Sequence, residues 1–392
     1  MNAATENAFR QLHAIIAQHE PLNDSLLGGS LGLCTYYYTL YKVFGNEEYA
    51  EKALDLVEQA AVLPDEAART LFGATFSSGG AGLCYVITTL YREGLLDMDL
   101  TEDLYELDEY LYHTAMDMIE REGNMDYLHG AAGIIHYFTH RLPDEAIQEK
   151  LTVLVKAFVD KKHILPGGTW FSSFVNETDD RSEINFSLSH GQTGFLLVLM
   201  NAYRKGISLP EIPQLVKSGV ELLLSFRLHP EPGSPVITLF PSTLKSKNHE
   251  EYLASNRLAW CYGDLDILLL LYEAAAFLNK PEWKTMADEL APVTVARKSA
   301  KDTAITDTHF CHGTAGMVTT YNRLFELSGN ALYKEAAAYW LNETLSLLPQ
   351  ELEKNQYKEK ETALLEGLTG INLVLVTELS GKEQEWSRML LV

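Results

Sequence analysis

A glycine-centred loop followed by an apolar helix recurs seven times in this chain of 392 residues. The intervals between the first glycines of successive loops are 50, 51, 61, 72, 50 and 54 residues. A near-regular period of this length is typical of repeat architectures and constrains the whole fold. The first glycines of the seven loops are Gly29, Gly79, Gly130, Gly191, Gly263, Gly313 and Gly367.

The segments on the two sides of each loop differ in their hydrophobic pattern. The segment after a loop, such as Leu33–Phe44, has little polar content, which indicates a helix buried on nearly every side. The segment before a loop, such as Tyr49–Val62, is amphipathic. About fourteen helices in seven pairs follow from this repeat. We therefore predict an all-α (α/α)7 toroid with an inner ring of buried helices, an outer ring of amphipathic ones and the glycine loops at one mouth. An open helical solenoid is the alternative, although its repeats usually have ~33–47 residues.

A single domain over residues 1–392 is expected, because no Pro-, Ser- or Gly-rich linker separates any two copies of the repeat. Two intervals are longer than the others, at 163–188 and 227–257, and neither has helical periodicity. They are either flaps that contact a substrate or simple elongated turns. Residues 236–240 are expected to form a short strand.

Composition excludes several classes of protein. The formal net charge of -23 disfavours nucleic acid as a partner, because phosphates require Lys and Arg, and is compatible with a partly basic peptide. The first 20 residues have no signal-peptide pattern, and no apolar run reaches the ~20 residues that span a bilayer. Four cysteines do not make a disulfide framework, so we expect a reducing cytoplasm.

The residues directly before the glycines carry metal-binding side chains in two neighbouring loops. The fifth loop reads Trp260-Cys261-Tyr262-Gly263, and the sixth contains Cys311-His312-Gly313. If the loops share one mouth, Cys261, Cys311 and His312 form a site for one Zn²⁺ per chain, with the fourth position open as in catalytic sites. His309 is a rival third ligand or a residue supporting the ligands. Two thiolates on zinc favour activation of a thiol over activation of water.

With Ser189-His190-Gly191 in the fourth loop, these motifs resemble those of the lanthionine synthetase C-like proteins, the lanthipeptide cyclases. The resemblance covers the whole chain, and the length is similar to that of the stand-alone cyclase of class I systems. It implies a cytoplasmic enzyme that adds peptide cysteine thiols to dehydroalanine or dehydrobutyrine and so forms lanthionine or methyllanthionine rings. The implied substrate is a dehydrated precursor peptide, and the implied partners are a dehydratase and a transporter.

The resemblance also implies roles for individual residues. It gives Cys261, Cys311 and His312 as zinc ligands and His190 as the general acid or base. Asp126 matches the acidic residue of the family. Arg257 matches its arginine, which is expected to stabilise enolate charge or to pair with Asp126. The implied wall of the pocket consists of Trp260 and Tyr262, with His309 nearby.

One loop departs from the repeat, because the fifth ends in Asp266 where the other loops have a second glycine. A carboxylate there is expected to cap the following helix.

Three other functions compete with the cyclase hypothesis. The metal site could serve addition of a small thiol such as glutathione to dehydroamino acids. It could belong to a non-catalytic, zinc-containing scaffold that binds peptides. A zinc hydrolase is a further alternative, although no glutamate base of the usual motif stands beside the metal ligands.

Overall fold

The computed structural model describes residues 3–61, 71–173, 182–245, 251–382 and 384–392. Parts of both predicted insertions, residues 174–181 and 246–250, lie outside the described residues. Most of the described residues lie in helices, and the strands among them are few and short. The prediction of an all-α chain is confirmed.

Seventeen α-helices occur in the described part of the chain, and we number them in chain order. They are α1 (Ala3–Ile16), α2 (Ser30–Phe44), α3 (Glu47–Ala61), α4 (Gly80–Arg92), α5 (Leu100–Asp103), α6 (Tyr105–Asp117), α7 (Ala131–Arg141), α8 (Glu145–Asp160), α9 (Gln192–Arg204), α10 (Glu211–Ser225), α11 (Asp264–Leu278), α12 (Pro281–Val295), α13 (Ala300–Thr303), α14 (Thr314–Ser328), α15 (Ala331–Glu353), α16 (Leu368–Ser380) and α17 (Glu385–Arg388). A π-helical turn, Met118–Glu122, extends α6.

The seven predicted helix pairs are present. The helix after a loop and the helix before it differ in how much of their surface is buried. In α2, which follows the first loop, every residue from Ser30 to Leu40 is buried. In α3 the buried residues fall at intervals of three or four and so form one stripe. They are Ala50, Ala53, Val57 and Ala60.

Each helix that follows a loop begins one residue after the first glycine of that loop, earlier than the hydrophobic run predicts. The second glycine therefore lies in the first helical turn, where its low helix propensity hides the helix start from sequence analysis. Close packing explains why a glycine is needed there. A Cβ on Gly82 would lie 2.4 Å from the carbonyl oxygen of Phe76, and one on Gly370 would lie 1.9 Å from that of Leu364.

Short strands occur in the two insertions and pair antiparallel. One hairpin joins β1 (His163–Leu165) to β2 (Gly168–Trp170). A second sheet has the order β3 (Ile184–Asn185), β4 (Thr243–Lys245) and β5 (Glu251–Leu253).

The predicted strand at residues 236–240 is wrong, because this segment pairs with no strand. One oxygen of the buried Asp264 carboxylate instead accepts hydrogen bonds from the backbone N–H groups of Leu239 and Phe240, at 2.9 and 3.0 Å. The hydroxyl of Thr238 donates to the same oxygen at 2.9 Å. The other oxygen accepts from the guanidinium of Arg297. The N–H groups that a strand would use are thus bound by a side chain.

The chain divides into two compact units. One comprises Met1–Leu111, Asp307–Thr319 and Ala338–Val392, and the other comprises Tyr112–Thr306 and Thr320–Ala337. None of the helices in the described ranges combines the length and hydropathy needed to cross a membrane.

Within the first unit, the last repeat packs on the first. The amide of Asn372 in α16 donates to the hydroxyl of Tyr36 in α2 at 2.8 Å and to the carbonyl of Phe9 in α1 at 3.3 Å. An open solenoid would keep its first and last repeats apart. This contact therefore favours the predicted (α/α)7 fold over the solenoid.

Substitution Gly82→Ala tests the close packing of the loops. Its Cβ would overlap the Phe76 carbonyl, so we expect the free energy of unfolding to fall by about 2 kcal/mol or more. Gly80→Ala is the matched control, because its Cβ would meet side-chain atoms of Leu107 and Leu111 at 3.2 and 3.4 Å and would stay 3.9 Å from the carbonyl oxygen of Gly73. We expect Gly80→Ala to change the stability by less than about 1 kcal/mol in either direction. Urea denaturation of both variants measures the difference, and equal losses would contradict the packing argument.

Candidate active site

An asparagine six residues before the first glycine shapes three of the seven loops. In each, the side-chain oxygen accepts the backbone N–H two residues further along, at 2.9 to 3.2 Å. This is an Asx turn, which fixes where the following residues lie relative to the helix. The residues before the glycines therefore have equivalent positions in these repeats. The three residues are Asn23, Asn124 and Asn185.

Backbone hydrogen bonds connect successive loops in the first unit. The N–H groups of Leu26 and Leu27 in the first loop both donate to the carbonyl of Ser77 in the second, at 3.1 Å. Those of Leu364 and Leu365 in the seventh loop both donate to the carbonyl of Leu27, at 3.0 Å. In each bond the donor lies two or three residues before the first glycine of its own loop. The acceptor lies two residues before the first glycine of the neighbouring loop. The loops are thus held side by side by their own backbone.

In the second unit, Asp126 from the third loop pairs with His190 from the fourth. The Asp126 carboxyl is fully buried, and one of its oxygens lies 2.7 Å from Nδ1 of His190. The other oxygen accepts the backbone N–H of His129 at 2.7 Å. With Nδ1 directed to the carboxylate, Nε2 of His190 lies on the side of the ring that faces away from Asp126. A buried carboxylate that orients an imidazole is the usual arrangement for general acid–base catalysis.

Two further rings lie beside His190. His129 is stacked on it with ring centroids 5.6 Å apart and an interplanar angle of 15°. Burial lowers the pKa of His129, and the charge of His190 lowers it further, whereas the charge of Asp126 acts in the opposite direction. Tyr262 has its ring centroid 6.2 Å from that of His190, and its hydroxyl accepts a hydrogen bond from the Asn185 amide at 2.8 Å. Burial raises the pKa of Tyr262, so its hydroxyl remains protonated at neutral pH.

Cys261 follows the buried Trp260 in the fifth loop. The Cys261 residue is 6% exposed, and its carbonyl accepts a hydrogen bond from the hydroxyl of Ser189 at 3.1 Å. Ser189 directly precedes His190, so this bond connects the segment bearing the cysteine to the segment bearing the histidine. Trp260 is only 1% exposed and belongs to the core.

Arg257 does not pair with Asp126, whose carboxylate binds His190 instead. The Arg257 side chain is half-buried and has no ion pair or side-chain hydrogen bond with the other residues that the structure describes. A half-buried guanidinium of this kind is suited to binding an anion.

The first unit carries the sixth loop, with Cys311, His312 and His309. The backbone N–H of Cys311 donates to the carbonyl of Leu365 at 2.9 Å, a bond of the same kind as those between the other loops of this unit. The rings of His309 and His312 meet edge to face with centroids 4.2 Å apart. Nε2 of His309 lies 3.2 Å from Asp307, too poorly aligned for a hydrogen bond. Burial lowers the pKa of His309.

Nδ1 of His312 is buried and has no hydrogen-bond partner within the described ranges. Burial of an unsatisfied polar atom is unfavourable, so such an atom in a folded protein calls for a ligand or a function. Metal coordination would satisfy this nitrogen.

Within the first unit, the side chains of Asp307, His309 and His312 lie close enough together to hold a metal ion. The sequence predicts a different set, Cys261, Cys311 and His312, whose thiolate and imidazole donors are those that zinc prefers. None of the four cysteines, all of which lie in the described ranges, forms a disulfide bond. Cys34 is buried in α2, and burial raises its pKa, so it remains a protonated thiol of the core.

Several residues that support these side chains were not predicted from the sequence. Asn185 and Ser189 were missed because each is a common loop residue when considered alone. Alignment of the seven repeats would have found Asn185, because Asn23 and Asn124 occupy the same place. No comparable signal marks Ser189, whose role depends on a carbonyl 72 residues away.

The chain is similar to known proteins in both sequence and fold. The family model described as lanthionine synthetase C-like protein matches residues 20–391. The nisin biosynthesis protein NisC of Lactococcus lactis subsp. lactis is 23% identical over 322 residues, which cover 78% of this chain and 74% of that protein. A solved structure of nisin cyclase superposes with a TM-score of 0.77 and 19% sequence identity, over 98% of each chain. This agreement shows the fold and supports the predicted (α/α)7 class.

Removal of the Asp126 charge tests the electrostatics of the histidine pair. Because that charge raises the pKa of His129, Asp126→Asn is expected to move the His129 titration to lower pH. The pH dependence of carbethoxylation at His129, followed by peptide mass spectrometry, gives the midpoint. Asp117→Asn, an exposed carboxylate paired with Arg121, is the control and should leave the midpoint unchanged. A midpoint that rises in Asp126→Asn would contradict this assignment.

Proposed function

Since the chain belongs to the lanthionine synthetase C-like family, we propose that it is a zinc-dependent cyclase that forms thioether rings in a dehydrated precursor peptide. The family and the likeness to nisin cyclase support lanthipeptide cyclisation. The observation that carries the proposal is the Asp126–His190 pair, because a non-catalytic scaffold needs no oriented proton-transfer group.

Zinc is proposed to bind Cys261, Cys311 and His312. Three features support this: the donor types, the burial of both thiols, and the unsatisfied Nδ1 of His312. When bound, zinc would stabilise the substrate cysteine as a thiolate and so would make it nucleophilic at neutral pH.

One residue that can both accept and donate a proton is sufficient for the proton balance of the proposed reaction. The substrate thiol loses its proton, and a C–S bond forms between its sulfur and the β-carbon of the dehydroamino acid. The π electrons of the double bond move toward the carbonyl and give an enolate, which a proton at the α-carbon then quenches. One proton leaves and one arrives, so the peptide mass is unchanged.

His190 is proposed to handle this proton through Nε2. The Asp126 carboxylate at Nδ1 fixes the ring orientation and stabilises the protonated imidazole between the two steps. Arg257 is proposed to stabilise the enolate oxygen, because its guanidinium has no carboxylate partner within the described part of the chain. Tyr262 and His129 are proposed as walls that hold the His190 ring from two sides.

The peptide substrate follows from the likeness to NisC, whereas the dehydratase, the transporter and the cytoplasmic location remain predictions from the resemblance. Addition of glutathione instead of a peptide thiol is the alternative reaction. The two reactions differ in mass, because external addition increases the peptide mass and cyclisation does not.

Cysteine variants test the proposed zinc site. Cys261→Ala and Cys311→Ala are each expected to lose both bound zinc and cyclisation, because two remaining ligands hold the ion poorly. Elemental analysis measures zinc, and alkylation with mass spectrometry counts the thiols that remain on a dehydrated, cysteine-containing peptide. Cys34→Ala is the matched control, because this buried thiol lies in the helical core and should not affect either readout. Full zinc content in Cys261→Ala would exclude this ligand set.

Replacement of His190 separates proton transfer from metal binding. His190→Asn is expected to keep about one zinc per chain and to lower the turnover ~100-fold or more. Asp126→Asn, which leaves the imidazole in place, should lower turnover less. Unchanged turnover in zinc-loaded His190→Asn would exclude the proton-transfer role, and a mass gain with added glutathione would favour the alternative reaction.

A further inference from the structure

The contact between the fourth and fifth loops differs from the contacts among loops in the first unit. In two of those contacts, the residue three positions before the first glycine donates its N–H to a carbonyl of the next loop: Leu26 donates to Ser77, and Leu364 donates to Leu27. In the fourth loop that donor is Leu188, and the equivalent acceptor in the fifth loop is the carbonyl of Cys261. Leu188 instead donates to a carboxylate oxygen of Asp266, at 3.0 Å.

The remaining backbone bond at this junction is stretched. The N–H of Ser189 lies 3.5 Å from the carbonyl of Cys261, compared with 2.9 to 3.1 Å for the corresponding bonds of Leu27, Leu365 and Cys311. The Ser189 hydroxyl adds a second hydrogen bond to the same carbonyl at 3.1 Å. Side chains therefore replace backbone groups at the junction that brings Cys261 and His190 together.

The fifth loop also has a different backbone conformation. Gly263 has φ +139°, whereas the corresponding first glycines of five other loops have φ between -145° and -126°. The change lies two residues after Cys261 and turns the segment that carries the thiol. Position 266 of this loop carries a side chain. In the fourth loop, by contrast, a Cβ on Gly194 would lie 2.1 Å from the carbonyl of Leu188.

Asp266 is costly to bury and is satisfied only in part. It is 1% exposed, and its Oδ1 has no hydrogen-bond partner in the part of the chain that the structure describes. Burial raises the pKa of its carboxyl well above the usual range. A glycine occupies this place in the other six loops, so the fold by itself does not require a carboxyl here.

We propose that Asp266 is a positioning residue whose carboxyl replaces the missing backbone acceptor and holds the His190 segment against the re-oriented Cys261 segment. It fixes the position of the His190 imidazole relative to the Cys261 thiol, although the fifth loop does not follow the backbone hydrogen-bond pattern of the other repeats. Asp266 contacts neither the substrate nor the reacting atoms in this role. The expected effect on turnover rests on the proposed cyclase function, whereas the structural role of Asp266 does not.

Hydrogen exchange tests the structural part of the proposal without any substrate. Asp266→Ala removes the acceptor, so the Leu188 amide is expected to exchange at least ~10-fold faster when peptides spanning residues 184–192 are followed by mass spectrometry. Asp266→Asn retains an oxygen acceptor and is expected to restore protection. Asp24→Ala is the matched control: Asp24 is a buried loop carboxylate, 3% exposed, that accepts from the Ser30 hydroxyl at 2.7 Å. It should leave exchange at 184–192 unchanged.

Turnover tests the functional part with the same variants. We expect kcat of Asp266→Ala to fall about 10–100-fold with KM and zinc content nearly unchanged, because a supporting residue acts through the alignment of others. Asp266→Asn and Asp24→Ala should remain within about threefold of the unsubstituted protein.

Wild-type exchange and turnover in a folded Asp266→Ala variant would overturn the proposal, as would an Asp266→Asn variant as defective as Asp266→Ala. If the unsubstituted protein cyclises nothing, the proposed function fails, and the exchange measurement still decides whether Asp266 holds the junction.

Discussion

The close packing of the first turn of each inner helix against the backbone of the loop before it is the constraint on which the rest of this structure depends. Where the second glycine lies against the carbonyl six residues earlier, a methyl group would already overlap, as at Gly82 and Gly370. This packing starts the following helix at the loop and leaves the preceding residues free to bond to the next loop. The inter-loop bonds of Leu27 and Leu365 are its direct consequence. A site assembled from residues far apart in sequence therefore needs no dedicated scaffold, because the repeat supplies one.

Buried carboxylates hold the loops wherever the backbone pattern is insufficient. Asp126 orients His190 and binds the His129 amide, while Asp264 anchors residues 238–240. Near the sixth loop, the buried Glu351, which belongs to α15, accepts hydrogen bonds from the hydroxyls of Thr308 and Tyr357. A carboxylate can accept several hydrogen bonds at once, which suits it to irregular segments whose N–H groups have no strand or helix partner. These acidic residues are thus structural and electrostatic elements of the loops, and are distinct from the acidic surface of the chain.

The chemistry of the proposed cyclase arises where copies of the repeat differ from one another. Some of the buried polar atoms without a hydrogen-bond partner in the described ranges lie at these differences. Nδ1 of His312 and Oδ1 of Asp266 are buried without a hydrogen-bond partner among the described residues. Each lies in a loop that also carries a proposed zinc ligand. A fold optimised only for stability would satisfy or remove such atoms, so their retention is in keeping with a functional demand on the two loops.

The sequence alone determined the seven repeats, the all-α class and the membership of the lanthionine synthetase C-like family, because hydrophobic periodicity and loop motifs are local properties of the chain. It also identified Asp126 and His190, but their direct pairing and the absence of an Asp126–Arg257 pair were decided by tertiary structure. The burial of Trp260 and the irregular path of residues 236–240 were decided in the same way. The physical reason is that a hydrogen-bond partner is selected by three-dimensional proximity. Leu188 and Asp266 are 78 positions apart, and no local pattern records that one needs the other.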